Sequence, residues 1–297
     1  MHLTTGYPTF LYCFEADSTR IVCPITERPC GGHIEAVTPL GVSGFCGTGD
    51  FAGFPSWWEE FARFRGYVTT YIALNPLFDH PSFTDPTLTQ QHNSLFFLDL
   101  TVKEEELFRG FSESRRRGLR RWEESAVSIV TDRDALTLFI LNNYRGFFRQ
   151  KGFPLAYNFD ESTVAFLLAL NQIYIIGAAI EGGLQSVLAC CYTQDVADAL
   201  FSIALPEGRH HGVGLLWHAA RHFQQLGVPM FNLGGGISVD DSVAESKRRF
   251  GARRLPLRSL RQVIRPEVYD QLCAHAGVCA TDRTGYFPPY QRPLAAR

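Results

Sequence analysis

Between Phe201 and Gly251 the sequence twice runs from an apolar strand through glycines into a helix, and this stretch constrains the fold most. The first strand pattern, Ala199 to Leu205, leads through Arg209-His-His-Gly-Val-Gly214 into a helical pattern. The second, Pro229 to Leu233, ends in Gly234, Gly235 and Gly236, and a short basic helix carrying Lys247-Arg-Arg-Phe-Gly251 follows. Such turns offer free backbone N–H groups and the positive end of a helix dipole, which makes them natural anion sites.

The rest of the chain alternates in the same way. Residues 9–14 and 19–25 read as a hairpin turning at Asp17-Ser18. Gly31 to Gly49 is glycine-rich and reads as a loop, either a plain surface loop or one facing a substrate. A helix capped by Ser56 runs to about Arg65, with Trp57, Phe61 and Phe64 as its expected core face. Strands follow at Tyr67–Leu74 and Ser94–Leu100, separated by a long loop with three prolines. Thr101 caps a helix that opens on Glu104, Glu105 and Glu106 and bends or breaks at Gly118. A strand near Ala126 to Thr131 closes the first half.

The second half starts with a helix from Asp132 to about Gln150, ended by Lys151-Gly-Phe-Pro154, and a second helix at Asp160–Leu170. Ile173–Ile180, Glu181-Gly-Gly183 and Leu184–Tyr192 form a strong hairpin pattern. The expected fold class is therefore α/β (α+β), with mixed, mostly antiparallel sheets. Both halves alternate strands and helices over similar lengths, which places a boundary at 131/132: a domain of residues 1–131 and a domain of residues 132–297. The tail 267–297 either returns to the first domain or is mobile.

Composition narrows the function classes. The chain of 297 residues is 45% hydrophobic and 20% charged, fitting a globular protein. It shows no secretory leader pattern and no apolar run long enough to span a bilayer comfortably, so a cytoplasmic location is expected; a monomer is expected as well. The eight cysteines include no C-x-x-C pair and are expected to be reduced.

Net charge is −2, yet the basic residues cluster. Lys247, Arg248, Arg249, Arg253, Arg254, Arg258, Arg261 and Arg265 form one run without an acid. Arg115, Arg116, Arg117, Arg120 and Arg121 form another. Each is either a polyanion footprint or a solvated face.

The strand-before, helix-after setting gives Arg209, Gly212 and Gly214 the form of a phosphate loop, with an ordinary glycine-rich turn as the alternative. His211, His218 and His222 lie in line along the following helix, whose apolar face is Leu215, Leu216, Ala219, Ala220, Phe223 and Leu226. No carboxylate or thiol is placed to complete a site with the histidines, so no metal is expected. A nucleophile elbow, a P-loop and a dinucleotide fingerprint are all absent from the sequence.

Phe231-Asn-Leu-Gly-Gly-Gly236 followed by Lys247-x-x-Phe250-Gly251 resembles the C-terminal signature of the Fem-type aminoacyltransferases. Arg115-Arg-Arg-Gly-Leu-Arg-Arg121 is similar to the family's basic stretch, and Thr38-Pro-Leu-Gly41 to an N-terminal loop. The likeness covers about Thr38 to Leu260. It implies two GNAT-like domains with a cleft between them, and transfer of an aminoacyl group from a charged tRNA to an amine.

The resemblance makes Lys247 the cation beside the aminoacyl ester, able to stabilise a tetrahedral oxyanion, with Asn232 as a polar contact. A surface lysine is the plain alternative. Arg209, Gly212, Gly214, Arg248, Arg249, Phe250 and Arg253 would hold the donor, and Thr38, Arg115, Arg116, Gly234 and Gly235 the other substrate. Two departures concern the donor. Ser246 stands where the family often has an aromatic, and Ala204 where relatives often carry a small polar residue. The Arg209 turn also resembles the acyl-CoA loop of GNAT enzymes.

Aminoacyl-tRNA as co-substrate, with no bound cofactor, is the leading expectation. An acyl-CoA-dependent N-acyltransferase and a non-catalytic binding protein are the alternatives. The acceptor is an amine on a small molecule or a peptidoglycan precursor. A missing coiled-coil arm favours a small, soluble one, as in antibiotic biosynthesis.

Overall fold

A computed structural model describes residues 5–39, 41–78, 80–151, 159–236, 241–283 and 285–292. Leu40 of the Thr38–Gly41 stretch and residues 152–154 of the expected helix end lie outside them. The chain divides into two compact units, residues 1–92 with 256–297, and residues 93–255.

In the first unit, β1 (Thr9–Ala16) and β2 (Thr19–Cys30) form the expected hairpin, with Asp17 at positive φ in the turn. The glycine-rich segment after it holds two strands instead of an uninterrupted loop. β3 (His33–Val37) pairs with β2, and β4 (Cys46–Thr48) adds to β2 as well. β5 (Tyr67–Leu74) lies parallel to β3, and the 256–263 part of β12 (Arg253–Val263) is antiparallel to β5.

The helix α1 (Phe54–Phe64) begins earlier than Ser56, with Gly53 at its N-cap and a proline in its first turn. That start turns its face: Phe54, Trp58 and Ala62 are buried, while Trp57 and Phe64 are 54% and 86% exposed. Phe54 and Trp58 join Tyr12, Ile21, Ile25 and Ile72 in one core. A second cluster forms where α8 (Pro266–His275) brings Tyr269 and Cys273 onto Val68 and Cys30.

In the second unit, β6 (Thr89–Asp99) contributes residues 93–99. Next come α2 (Glu104–Gly110), α3 (Glu113–Glu123), β7 (Ser128–Val130), α4 (Arg133–Lys151) and α5 (Glu161–Ala169). β8 (Ile173–Ile180), β9 (Gly183–Tyr192) and β10 (Val196–Ala204) are antiparallel neighbours in sequence order. α6 (Gly212–Gln225) then crosses to β11 (Met230–Gly235), parallel to β10 and antiparallel to β6. α7 (Ser242–Arg248) follows. Each unit thus has a mixed, mostly antiparallel sheet with a single parallel pairing among its described strands.

The basic helix breaks at Phe111-Ser112, where Ser112 accepts from the Arg115 amide and caps α3; Gly118 lies inside α3. Thr101 is spent on Asp99, so Lys103 is the N-cap of α2. On α6 Trp217 is buried in addition to the expected face, whereas Leu226 is 51% exposed.

The division by contacts differs from the expected 131/132 boundary, and packing gives the reason. Leu107, Phe111 and Leu119 are buried in the same cluster as Leu215, Trp217, Phe223 and Phe250, so residues 93–131 belong with the second unit. Residues 256–297 belong with the first, through the pairing with β5. Within that segment Arg261 donates to the carbonyls of Arg283 and Gly285, and Tyr290 donates to the buried Glu35.

Phe250-Gly251 ends the α7 turn against α2. Gly251 has φ +66°, and a Cβ there would stand 2.5 Å from the Gly110 carbonyl oxygen. Strain and clash act together, so Gly251→Ala is expected to cost roughly 2–4 kcal/mol, measured as a lowered urea midpoint with an unchanged m value.

Candidate functional site

The glycine end of β11 and the helix α7 come together in the second unit. Asp241 caps α7 by accepting from the Ala244 amide at 2.8 Å, and Ala244 and Phe250 anchor the helix in the core. That phase turns Lys247 toward β11, where its ammonium donates to the Gly235 carbonyl. Gly234, at φ +80°, leaves room for it: a Cβ there would lie 3.1 Å from Nζ. Burial pulls the Lys247 pKa from 10.5 down to about 8, with Asp241 opposing the shift. Lys247 is therefore an enclosed cation on a backbone carbonyl, unlike a freely solvated surface lysine.

The neighbouring polar groups hold this turn in shape. Asn232 donates to Asp198 at 2.6 Å and accepts from the Gly234 amide at 2.8 Å. With one hydrogen bond at each end of its amide, Asn232 positions the glycines. Asp198, across the parallel register from Asn232, has its pKa raised by burial, with the Asn232 hydrogen bond opposing. The sequence reading missed Asp198, which looks like any strand residue until β10 and β11 are paired. On the other edge Asn93 donates to the Gly236 carbonyl at 3.0 Å, while the Gly235–Leu95 pairing follows a bulge after Asn232.

Arg115 braces α7 from behind. Its guanidinium donates to the Ser246 carbonyl at 2.8 Å and the Ser246 hydroxyl at 2.9 Å, and lies over the Phe250 ring at 4.4 Å. The serine before the lysine is thus a docking point for an arginine. Arg116 donates to the carbonyls of Arg109 and Phe111 and closes the end of α2. Both arginines expected to touch substrate have internal partners. Arg248 and Arg249 pair with Glu245, at 2.8 and 3.4 Å. Arg117, Arg120, Arg121 and Arg253 are exposed.

The run from Lys247 to Arg265 is divided between the two units. Arg258, Arg261 and Arg265 lie in the first unit, and Arg261 is buried there. Thr38 is in that unit too, buried, accepting from the Ala73 amide at 3.0 Å.

The Arg209 segment departs from a phosphate loop. Residues 207–211 form a 3-10 turn that runs directly into α6, leaving no open loop before the helix. A Cβ at Gly214 would overlap the indole of Trp122, so this glycine is accounted for by helix packing. Trp122 also donates to His211 Nδ1 at 3.0 Å. Arg209 is exposed, and Gly212 is the first residue of the helix. His222 stacks on Tyr174 at 3.9 Å, a structural use. Among the described residues no group of three histidine, cysteine or acidic side chains could hold a metal ion, and no helix is long and apolar enough to cross a membrane.

No family model matches the chain, and no curated protein matches it in sequence. Solved structures do match. FemX is similar with a TM-score of 0.68 at 9% identity, over 90% of this chain and 90% of that one. The C-terminal domain of a putative lysylphosphatidylglycerol synthetase from Agrobacterium fabrum is similar with a TM-score of 0.58 at 14% identity, over 89% and 88%. L-PGS from Bacillus licheniformis gives 0.52 at 12%, over 84% and 83%. At these identities the likeness concerns architecture: the chain shares the fold of FemX, as its glycine and lysine motifs led one to expect.

Proposed function

We propose that this protein is a cytoplasmic aminoacyltransferase that moves an amino acid from aminoacyl-tRNA onto an amine, forming an amide. The observation that carries the reading is the enclosed Lys247 ammonium at the glycine end of β11. As the amine attacks the ester carbonyl, negative charge develops on its oxygen. A cation already desolvated and held in place stabilises that charge without reorganisation. The C–O bond to the ribose then breaks, and the ribose oxygen takes up a proton. The exposed arginines of α3 and Arg253 supply a surface for nucleic-acid phosphates.

The 3-10 turn of residues 207–211 runs straight into α6 with no open loop before the helix, which favours an ester donor over acyl-CoA. The acceptor is a small-molecule amine or a peptidoglycan precursor, and a natural-product pathway suits the former.

Lys247 gives a pH test. With its pKa near 8, the cation is present at pH 7 and is lost as pH rises through 8. Turnover is expected to fall on that limb, and Lys247→Arg to move the limb upward. The chain has only three lysines (103, 151, 247), so NMR of 13C-methylated lysines reads each pKa directly. Three ordinary values near 10.5 would remove the basis of the assignment.

Keeping Lys247 charged in its half-buried place costs at most about 3 kcal/mol at neutral pH, a cost relieved as pH rises from about 8 to 10.5. Lys247→Met is therefore expected to raise Tm by several degrees while lowering kcat about 10²–10³-fold. Unchanged turnover in Lys247→Met would sink the catalytic role.

The donor is tested by filter binding of bulk aminoacylated tRNA. Affinity is expected to drop roughly 10³-fold between about 50 and 200 mM salt if six phosphates are neutralised, and to ignore acetyl-CoA. Competition by acetyl-CoA, or no binding at low salt, would point to the acyl-CoA enzyme.

A further inference from the structure

A cavity of about 410 Å³ lies in the second unit where α3 crosses the start of α6. Its lining includes the apolar side chains of Leu119, Val127, Ile180 and Val213. Arg115, Arg121 and His211 line it as well, and among the described residues no acid does. His211 is 1% exposed and carries a polar atom with no partner. Because the Trp122 indole N–H can only donate, His211 Nδ1 must accept, and the ring proton sits on Nε2. Nε2–H is the unpartnered atom, a buried donor at the cavity wall. Burial, then the His210 charge, lower the His211 pKa, which keeps the ring neutral in this tautomer. Arg115 Nε is likewise buried without a partner. Orphaned buried donors are costly unless something accepts from them.

We infer that this cavity is a binding site for a small organic oxyanion, a carboxylate or phosphate monoester on an apolar body. The apolar body rests against Leu119, Val127, Ile180 and Val213, and the anionic head accepts from His211 and meets the arginine charges. The helix N-terminus contributes nothing to the site, since the 3-10 turn occupies it. Arg115 reaches from this wall to Ser246, the residue before Lys247, so occupancy is felt at the α7 end of the unit.

Phenyl phosphate and phenylacetate serve as probes, with benzyl alcohol as the neutral control, titrated into the full chain without tRNA. Calorimetry or ligand-observed NMR reads the binding. At least one anion is expected to bind and benzyl alcohol not to; the preferred anion tells phosphate from carboxylate. Arg121→Gln is expected to weaken binding about tenfold. Gly118 lines the cavity in mid-helix, and a Cβ there meets nothing within 4 Å. Gly118→Leu should therefore fill the space in a folded protein, checked by circular dichroism, and abolish binding. Binding of neither anion, equal binding of benzyl alcohol, or unchanged binding in Gly118→Leu would overturn the assignment. Because no donor is present, failure here leaves the tRNA filter-binding result untouched.

Discussion

One arginine organises the second unit. Arg115 leaves α3, stacks on Phe250 and holds Ser246 by two hydrogen bonds, so the helix bearing Lys247 cannot rotate without breaking them. α3 is in turn fixed by Leu119 in the core, by its Ser112 cap and by Arg116 on the end of α2. The position of a half-buried ammonium is thereby set by residues distant in sequence. Guanidinium suits this task better than an amine would, because its planar fork serves a carbonyl, a hydroxyl and a ring face together.

The glycines at the end of β11 do a complementary job. Asn232 ties its amide to Asp198 and the Gly234 N–H, and Gly234 takes a backbone conformation other residues avoid. The Gly235 carbonyl is thus turned toward Lys247 and stays there. A depressed lysine pKa follows from this enclosure, where burial outweighs the one nearby carboxylate, Asp241. Local stability is given up at the place where chemistry is expected, a common arrangement at functional sites.

Much of the fold was legible because its signals are local. The Glu181-Gly-Gly183 turn between apolar runs marks β8 and β9, and Tyr67–Leu74 reads as a strand from its β-branched and aromatic residues. The phase of α1 was not, since Trp57 and Trp58 are equally apolar and tertiary neighbours such as Tyr12 and Phe45 decide which one is buried. Of the site, Lys247 and the glycines were visible as a motif. Trp122 against Gly214 was not, because a glycine that avoids an indole looks the same in sequence as one that admits a phosphate. The arginine clusters are mixed for a similar reason: composition cannot tell Arg115 and Arg116, which brace helices, from Arg117, Arg120 and Arg121, which are exposed. The unit boundary was hidden because β12 returns to β5 across a long intervening segment.

That return has a consequence for biosynthesis. Residues 93–255 are continuous, so they can close their own core as soon as they have left the ribosome. The first unit cannot, because its strand β5 lacks one neighbour until residues 256–263 arrive. During translation β5 therefore offers an open strand edge, rich in β-branched and aromatic residues, for the whole time the middle of the chain is made. Nascent chains of this architecture are exposed to wrong strand partners in an interval set by the length of the inserted unit, and a holdase is of most use to them in that interval.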